Sequence, residues 1–167
     1  VRFDGGHKRD PFLTDTLGTF VEWVPVCPEE EAGFGTPRES MRLVRSDGEI
    51  RLLTVRTQRD MTGQLQSYSS TRVTQLAALD LDGYVLKKDS PSCGWLRVKV
   101  YGGPGPAART GRGVFAEALC AALPLLPVEE EGRLCDPRLR ENFVERVFAY
   151  RRLRTLFAQR VRTGDLV

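Results

Sequence analysis

Long apolar runs are absent from this sequence of 167 residues. No run approaches the roughly 18 apolar residues that a membrane span requires, so we expect no membrane-spanning segment. Cysteine is also scarce, with four residues in the chain. Four cysteines are too sparse for a disulfide-stapled miniprotein and do not argue for an oxidising compartment. With 41% hydrophobic and 28% charged residues, the sequence predicts a globular cytoplasmic protein.

Several sequence motifs for common chemistries are missing. We find no glycine-rich fingerprint of the GxGxxG or P-loop type, so no dinucleotide or nucleoside triphosphate is expected. The chain has one histidine, His7, and no nucleophile-elbow motif, which argues against a Ser–His–Asp triad. His7 is interpreted either as an ordinary surface residue or as a residue that orients a substrate.

Charge is distributed unevenly along the chain. Residues 1–132 carry 16 basic and 18 acidic side chains, whereas residues 133–167 carry nine arginines, no lysine and four acids. Arginine binds phosphate well, because its planar guanidinium group makes two parallel hydrogen bonds. The C-terminal segment therefore indicates an anionic partner, the alternative being a solvated helix face.

Predicted strands alternate with predicted helices along the chain. The helices are predicted over 14–20, 61–80 and 114–123, and the strands over 22–27, 41–44, 50–55, 83–86, 96–101 and 125–128. Residues 102–113 are expected to form a mobile loop, and Glu129-Glu130-Glu131 to stop the last strand. This order favours an α/β fold, a Rossmann-like three-layer domain with a mainly parallel sheet.

The last predicted helix has well-defined signals at its start. Asp136 is an N-cap candidate and Pro137 suits the first helical position. Apolar residues follow at helical spacing, namely Leu139, Phe143, Val147, Tyr150, Leu153, Phe157 and Val161. Most arginines of this segment lie off that stripe. We divide the chain into a domain over 1–135 and a helix over 136–167 that starts a second domain or serves as a linker.

Two cysteines are candidates for chemistry. Cys27 and Cys93 each follow a predicted apolar strand, in loops that contain Pro and Gly. In open α/β sheets the ligand crevice lies beyond the carboxyl ends of the strands, so these thiols are expected to converge. Thiols there suit a nucleophile, a zinc ion or an iron–sulfur cluster, although buried structural thiols are an open alternative. Cys120 is interpreted as a core thiol, and Cys135 precedes the helix cap.

Five segments carry a resemblance to one family. They are VRFDGGHK at 1–8, VPVCPE at 24–29, GFGTPRE at 33–39, KKDSPSCG at 87–94 and LPVEEEGRL at 126–134. Together they resemble the bacterial family of thiouracil desulfidase and the tRNA 4-thiouridine desulfidases. The resemblance covers nearly the whole chain, and residues 136–167 look like the junction to the second domain of the tRNA-acting branch.

The resemblance implies a 4Fe–4S cluster held by three cysteines, with one iron left open. Cys27 and Cys93 match two of these ligands. The third is expected in a Cys-Leu-Leu-Gly motif upstream of Val1, so the given chain is interpreted as truncated before it.

The chemistry of desulfuration suggests further site residues. An open iron is a soft Lewis acid that takes the sulfur of a thiocarbonyl, and water must then attack the carbon with help from a base. Glu29 is the first candidate base, and Ser90 is expected to donate a hydrogen bond or position the base. Asp4 and Asp89 are weaker candidates. The alternative for Glu29 is a carboxylate that caps a loop, and for Asp89 a turn cap.

We therefore expect iron–sulfur-dependent, non-redox removal of sulfur from thiolated pyrimidines, with 4-thiouridine in tRNA as the substrate, and uridine and sulfide as products. The arginine-rich helix favours RNA over a free base. Arg138, Arg140, Arg146, Arg151, Arg152 and Arg154 are predicted to form an exposed basic face. The alternatives are a non-catalytic RNA-binding module in which the cysteines hold zinc or form a redox pair, and a plain domain whose helix docks another protein.

Overall fold

The computed structural model describes residues 3–6, 9–103 and 105–158. A π-helical turn (Phe12–Thr16) and a 3₁₀ turn (Leu17–Thr19) come first. The α-helices are α1 (Pro28–Glu31), α2 (Thr62–Ala77), α3 (Val114–Ala122) and α4 (Pro137–Ala158). The strands are β1 (Met41–Ser46), β2 (Glu49–Thr54), β3 (Tyr84–Leu86), β4 (Val98–Tyr101), β5 (Ala108–Gly111) and β6 (Val128–Glu130). These elements confirm the predicted α/β class. Two residues named in the sequence analysis, His7 and Val161, lie outside the described residues.

The larger sheet is mixed, in the order β2-β1-β4-β5. Strand β1 is parallel to β4, but β1–β2 and β4–β5 are antiparallel. A separate parallel pair joins β3 to β6. The prediction of a mainly parallel sheet is therefore wrong for the larger sheet. The cause is the short link between β1 and β2, where Asp47 and Gly48 both have positive φ, because a two-residue turn of this kind returns the chain antiparallel.

One further strand prediction and one loop prediction were wrong. Residues 22–27 have no regular secondary structure, although a strand was predicted there. Pro25 lies within this stretch and Pro28 follows it, and neither has an N–H group for a β-ladder. Residues 102–113, predicted to be a mobile loop, contain β5, which pairs with β4 through a bulge between Val98 and Lys99.

Helix α2 joins the two parts of the core. Its buried positions, Leu65, Ser69, Val73 and Leu76, recur at spacings of three and four, as an amphipathic helix requires. Leu65 packs in a cluster with residues of the larger sheet, while Val73 and Leu76 pack in a second cluster with α3, β3 and β6. The β3–β6 pair is thereby fixed against α3.

The three glutamates at 129–131 do not end the last strand. Glu129 and Glu130 are part of β6, and all three side chains are buried, with exposures of 4%, 2% and 9% in chain order. Buried carboxylates need hydrogen bonds or charge partners. Arg133 contacts Glu129 at 2.8 Å and Lys87 contacts Glu131, so two of the carboxylates have cationic partners. The prediction failed for Glu131 because its partner Lys87 lies 44 positions away, whereas the partner of Glu129 is only four residues away.

Helix α4 starts where the sequence predicted. Asp136 Oδ1 accepts the N–H groups of Arg138 at 2.9 Å and Leu139 at 3.3 Å. Phe143 of the predicted stripe is buried, but Leu153 and Phe157 are 52% and 80% exposed. The stripe therefore packs against the domain as far as Tyr150, which contacts the core cluster of α3, β3 and β6, and not at Leu153 and Phe157. No helix of the described part of the chain, α4 included, is long and apolar enough to cross a membrane.

The predicted exposed face of α4 arginines is present in part. Four of the six, Arg138, Arg146, Arg151 and Arg152, are exposed, and the other two, Arg140 and Arg154, are partly buried. Four of the six also bond to the domain: Arg140 to the Leu134 carbonyl, Arg146 to the Val128 carbonyl, Arg151 to Asp82, and Arg154 to Asp82 and the Leu81 carbonyl. The prediction was wrong for Arg140 and Arg154, because their long side chains reach backbone carbonyls on neighbouring segments.

Candidate functional site

Cys27 occupies the N-cap position of α1, with Pro28 as the first helical residue. Its N–H donates to Glu31 Oε1 at 2.8 Å, and its carbonyl accepts the Glu31 N–H at 2.9 Å. The other Glu31 oxygen accepts the Tyr68 hydroxyl of α2 at 2.6 Å. The backbone of Cys27 is therefore fixed at both its N–H and its carbonyl, and is linked to α2.

Cys93 lies in a tight loop after β3. Ser90 Oγ accepts the N–H groups of Cys93 at 3.0 Å and Ser92 at 3.2 Å. The Gly94 N–H donates to the Ser90 carbonyl at 2.8 Å and closes the turn. Ser90 thus accepts three backbone N–H groups from the residues that follow it, two through its hydroxyl oxygen and one through its carbonyl oxygen.

The first turn of α3 supports the same loop. The N–H groups of Gly113 and Phe115 donate to the carbonyls of Gly94 at 2.7 Å and Ser92 at 2.9 Å. These are helix-terminal amides that have no partner within their own helix. A Cβ at Gly113 would lie 2.4 Å from the Ser92 carbonyl group, so the loop can approach the helix this closely only because residue 113 is glycine.

One hydrogen bond joins the two cysteine-bearing segments. Ser92 Oγ, which is fully buried, donates to Glu29 Oε1 at 2.7 Å. Glu29 is the second residue of α1, two positions after Cys27. This bond therefore fixes α1 against the loop that carries Cys93.

The other oxygen of Glu29 pairs with Arg38. Arg38 Nε and Nη2 lie 2.7 Å and 2.6 Å from Glu29 Oε2, and the Arg38 side chain is 6% exposed. Arg38 Nη1 also donates to the Gly35 carbonyl at 2.9 Å. The carboxylate is thereby oriented by two different partners, with Oε2 held by the guanidinium group and Oε1 by the Ser92 hydroxyl.

The electrostatics of Cys93 show that these groups share one site. Burial raises the pKa of the Cys93 thiol above its ordinary value, and the Glu29 carboxylate and the Cys27 thiol raise this pKa further. The hydrogen bond with Ser90 opposes this shift. The protein by itself therefore disfavours a thiolate here, and a bound metal cation would offset that penalty, because thiolates are the metal-binding form of cysteine.

The described residues supply two soft ligands to such a cation. Within the described ranges, no group of three or more His, Cys, Asp or Glu side chains is placed to hold a metal ion. Cys27 and Cys93 are both partly exposed to solvent. Cys120 packs against the α2–α3 core and Cys135 is exposed on the surface. The donor set present fits two of the three cysteine ligands that the resemblance implies.

The structure brings Glu29 and Ser90 to the cysteines but engages the other two candidates elsewhere. Asp89 has a φ of 59° and its carboxylate pairs with Arg109 at 3.2 Å on the surface. Asp4 is exposed and accepts the N–H of Gly6 at 3.0 Å. The Asp4 contact is local to its turn, whereas the Asp89 contact joins residues 20 positions apart.

Sequence reasoning missed three residues that shape the site: Ser92, Arg38 and Glu31. Ser92 is the second serine of the Ser-Pro-Ser-Cys-Gly motif, and its position next to Cys93 was an available signal. Arg38 is nine residues from its partner Glu29, and Glu31 interacts with Tyr68 across 37 positions. Such separations give no periodic signal, so these roles emerge only once the chain has folded.

The comparisons with known proteins define the class of protein. A family model described as 2-thiouracil desulfurase matches residues 1–131, and the chain belongs to this family. A similar solved structure is the [4Fe-4S]-dependent thiouracil desulfidase TudS, with a TM-score of 0.66 and 25% sequence identity. The match covers 85% of this chain and 89% of that chain. No curated protein matches. The family predicted from the five segments is confirmed.

Proposed function

We propose that this protein is an iron–sulfur-dependent desulfidase that removes sulfur hydrolytically from thiolated pyrimidines, with 4-thiouridine in tRNA as the substrate. The observation that carries the proposal is the hydrogen bond between Ser92 and Glu29. It joins the segments of Cys27 and Cys93, so that two thiols and an oriented carboxylate share one site. The cofactor named for the similar structure TudS supports the same assignment.

Cys27 and Cys93 would hold two irons of a 4Fe–4S cluster, together with a third cysteine that the resemblance places before Val1. When bound, such a cluster supplies an iron without a protein ligand, which is a soft Lewis acid toward a thiocarbonyl sulfur. The tight backbone bonding of both cysteines suits ligands that must keep a fixed separation.

Glu29 is proposed as the base that activates water. Its Oε2 is held by Arg38, so Oε1, beside the Ser92 hydroxyl, is the oxygen assigned to proton transfer. The water oxygen forms a bond to the pyrimidine carbon while Oε1 takes one water proton and the π electrons of the carbon–sulfur double bond move to sulfur. The second water proton then passes to sulfur, the carbonyl forms, and the remaining carbon–sulfur bond breaks so that hydrosulfide leaves with its electron pair. Oε1 finally releases its proton to solvent. No electron is gained or lost overall, so no nicotinamide or flavin is required.

Ser90 is proposed to position Cys93 and to donate its hydroxyl hydrogen toward the departing sulfur, since its oxygen already accepts two amides. Asp4 and Asp89 are the next candidates for the base, because both are acidic residues on segments of the same family motifs. Both are exposed, and Asp89 pairs with Arg109 at the surface, so Glu29 is the first choice.

The cofactor is tested on the full-length protein by its iron, acid-labile sulfide and visible absorption. Cys27→Ser and Cys93→Ser are expected to lose most of the iron, because each removes a ligand. Cys135→Ser is the matched control and is expected to retain it, because Cys135 is exposed and outside the site. Iron retention in all three variants would refute the ligand assignment. Zinc without iron would instead favour the non-catalytic module.

The catalytic assignment is tested by turnover. Glu29→Gln is expected to lower the rate by about 10²–10⁴-fold, the usual cost of losing a general base, with iron content unchanged. Ser90→Ala is expected to lower the rate while retaining the cluster. Full activity in Glu29→Gln would remove Glu29 from the mechanism and leave Asp4 and Asp89 to be tested.

The preference for tRNA is supported by the exposed arginines of α4, among them Arg138 and Arg152. Arg138 and Arg152 are fourteen residues apart, which is about four helical turns, so their side chains lie on a similar side of the helix. Replacing both by Glu is expected to weaken tRNA binding and to leave desulfuration of free thiouracil unchanged. The matched control replaces Arg45 of β1 and Arg59, which lies between β2 and α2, with the same change of charge; both are exposed.

Salt dependence distinguishes phosphate contacts from indirect effects. Each phosphate contact that is lost should reduce the slope of log affinity against log salt by about 0.7–0.9. Unchanged tRNA affinity and slope in the Arg138/Arg152 variant would show that these residues do not bind the RNA. Equal loss in the Arg45/Arg59 control would show that net charge alone determines affinity.

A further inference from the structure

Glu130 is a buried carboxylate with no role in the proposed desulfidase reaction. It lies in β6 opposite Leu86 of β3 and is 2% exposed. Its neighbours in sequence, Glu129 and Glu131, pair with Arg133 and Lys87. Burying a carboxylate is costly unless hydrogen bonds compensate, so the partners of Glu130 show what the residue is retained for.

Those partners are two consecutive backbone amides just after Cys93. Glu130 Oε1 accepts the N–H of Trp95 at 2.8 Å and the N–H of Leu96 at 3.2 Å. The chain before Cys93 is fixed differently, by Ser90, whose hydroxyl accepts the Cys93 N–H. The segment around Cys93 is therefore tied down on one side by a serine hydroxyl and on the other by a buried carboxylate.

A carboxylate is suited to this contact for a simple reason. A single oxygen that carries negative charge can accept two N–H groups in charge-assisted hydrogen bonds, which are stronger than those to a neutral acceptor. A glutamine oxygen at the same place would accept both amides more weakly. A side chain without an acceptor would leave two N–H groups unpaired in a buried region.

We propose that Glu130 is a positioning residue that fixes Cys93 for cluster binding by tying Trp95 and Leu96 to β6. This inference rests on the proposed function, in which Cys93 is a cluster ligand. The glutamate acts through the backbone and touches neither the cluster nor the substrate.

The test is amide hydrogen exchange in the full-length protein, read at Trp95 and Leu96. Glu130→Ala is expected to raise exchange at these two amides by about tenfold to a hundredfold, the range for losing a hydrogen bond to a charged group. Glu130→Gln is expected to show a smaller increase, because it keeps an acceptor oxygen. Exchange in β3 is expected to stay unchanged, whereas a role in overall stability would raise it as well.

Glu129→Gln is the matched control. Glu129 is buried in the same strand to a similar degree, but its Oε1 contacts Arg133 and accepts the Glu130 N–H, a bond that a glutamine oxygen can also accept. This control is expected to leave Trp95 and Leu96 protected. The rate at which a chelator removes iron from the loaded protein is the second readout, and it should rise in Glu130→Gln but not in Glu129→Gln.

Unchanged exchange at Trp95 and Leu96 in folded Glu130 variants would overturn the proposal, as would the same increase in Glu129→Gln. If Glu130→Ala does not fold, Glu130→Gln decides. If the wild-type protein binds no iron, the proposed function fails, while the exchange data still decide whether Glu130 fixes this segment.

Discussion

The ion pair between Glu29 and Arg38 provides the sharpest test of how the site is built. Arg38 Nε and Nη2 both contact Glu29 Oε2, at 2.7 Å and 2.6 Å, and the two side chains are 6% and 15% exposed for Arg38 and Glu29. Removing Arg38 leaves the largely buried Glu29 charge without its guanidinium partner, which is costly, whereas removing Glu29 still leaves Arg38 near Glu30 Oε2 at 3.6 Å. Removing both eliminates that penalty, so the two substitutions should be strongly non-additive.

The expected magnitude follows from this burial. Breaking a buried pair costs about 3–5 kcal/mol, and we expect roughly 3 kcal/mol for Arg38→Gln because Glu29 keeps some exposure. A protein of this size loses about 2–4 °C in Tm per kcal/mol, so Tm should fall by roughly 6–12 °C. The double variant Glu29→Gln/Arg38→Gln is expected to be no less stable than Arg38→Gln alone.

The assay is urea unfolding of the four proteins in a double-mutant cycle. The bond from Arg38 to the Gly35 carbonyl is lost in both backgrounds and so cancels from the coupling energy. We expect a coupling energy of about 2–3 kcal/mol between Glu29 and Arg38. If the double variant loses the sum of the two single losses to within about 0.5 kcal/mol, the pair does not orient Glu29 as described.

Two further predictions concern how the site and α4 are attached. Gly113→Ala should destabilise the protein by about 1–3 kcal/mol in urea unfolding, because the added methyl would meet the Ser92 backbone at 2.4 Å. Asp82→Asn should leave global stability within about 1 kcal/mol, since its arginine partners are partly exposed, but should speed proteolysis within α4.

Each of these two predictions would be contradicted by a specific result. A Gly113→Ala protein as stable as wild type would show that the loop does not require the close approach to α3. For α4, the matched control is Glu141→Gln, an exposed acid on the helix itself. Equal proteolysis in Asp82→Asn and Glu141→Gln would show that the ion pairs with Asp82 do not hold the helix.

Local chemistry was enough to predict several elements. The helix predicted over 61–80 matches α2, and Asp136-Pro137 predicted the start of α4. Failures came where a distant part of the chain decided the outcome. The segment 22–27 was predicted to be a strand but has no strand partner in the described residues, and the glutamates at 129–131 were predicted to end the last strand.

The site was predictable to a similar extent. Cys27, Cys93, Glu29 and Ser90 stood out through their motifs, and the structure places them in one neighbourhood. The hydrogen bonds that organise them were not predictable, because Ser92 reaches Glu29 across 63 positions. The same holds for the arginines of α4. Their charge could be read from the sequence, but the contacts of Arg151 with Asp82 and of Arg154 with the Leu81 carbonyl could not be predicted from it.

The most direct test of the central claim is the fate of the sulfur and the source of the new oxygen. The iron-loaded full-length protein is incubated without oxygen or reductant in water enriched in oxygen-18, with tRNA containing 4-thiouridine and, separately, with 2-thiouracil. Hydrolytic desulfuration predicts one sulfide for each pyrimidine product, a product that carries oxygen-18, and no reaction after the iron is removed. The account would be contradicted if neither substrate released sulfide. It would also be contradicted if the product did not carry oxygen-18.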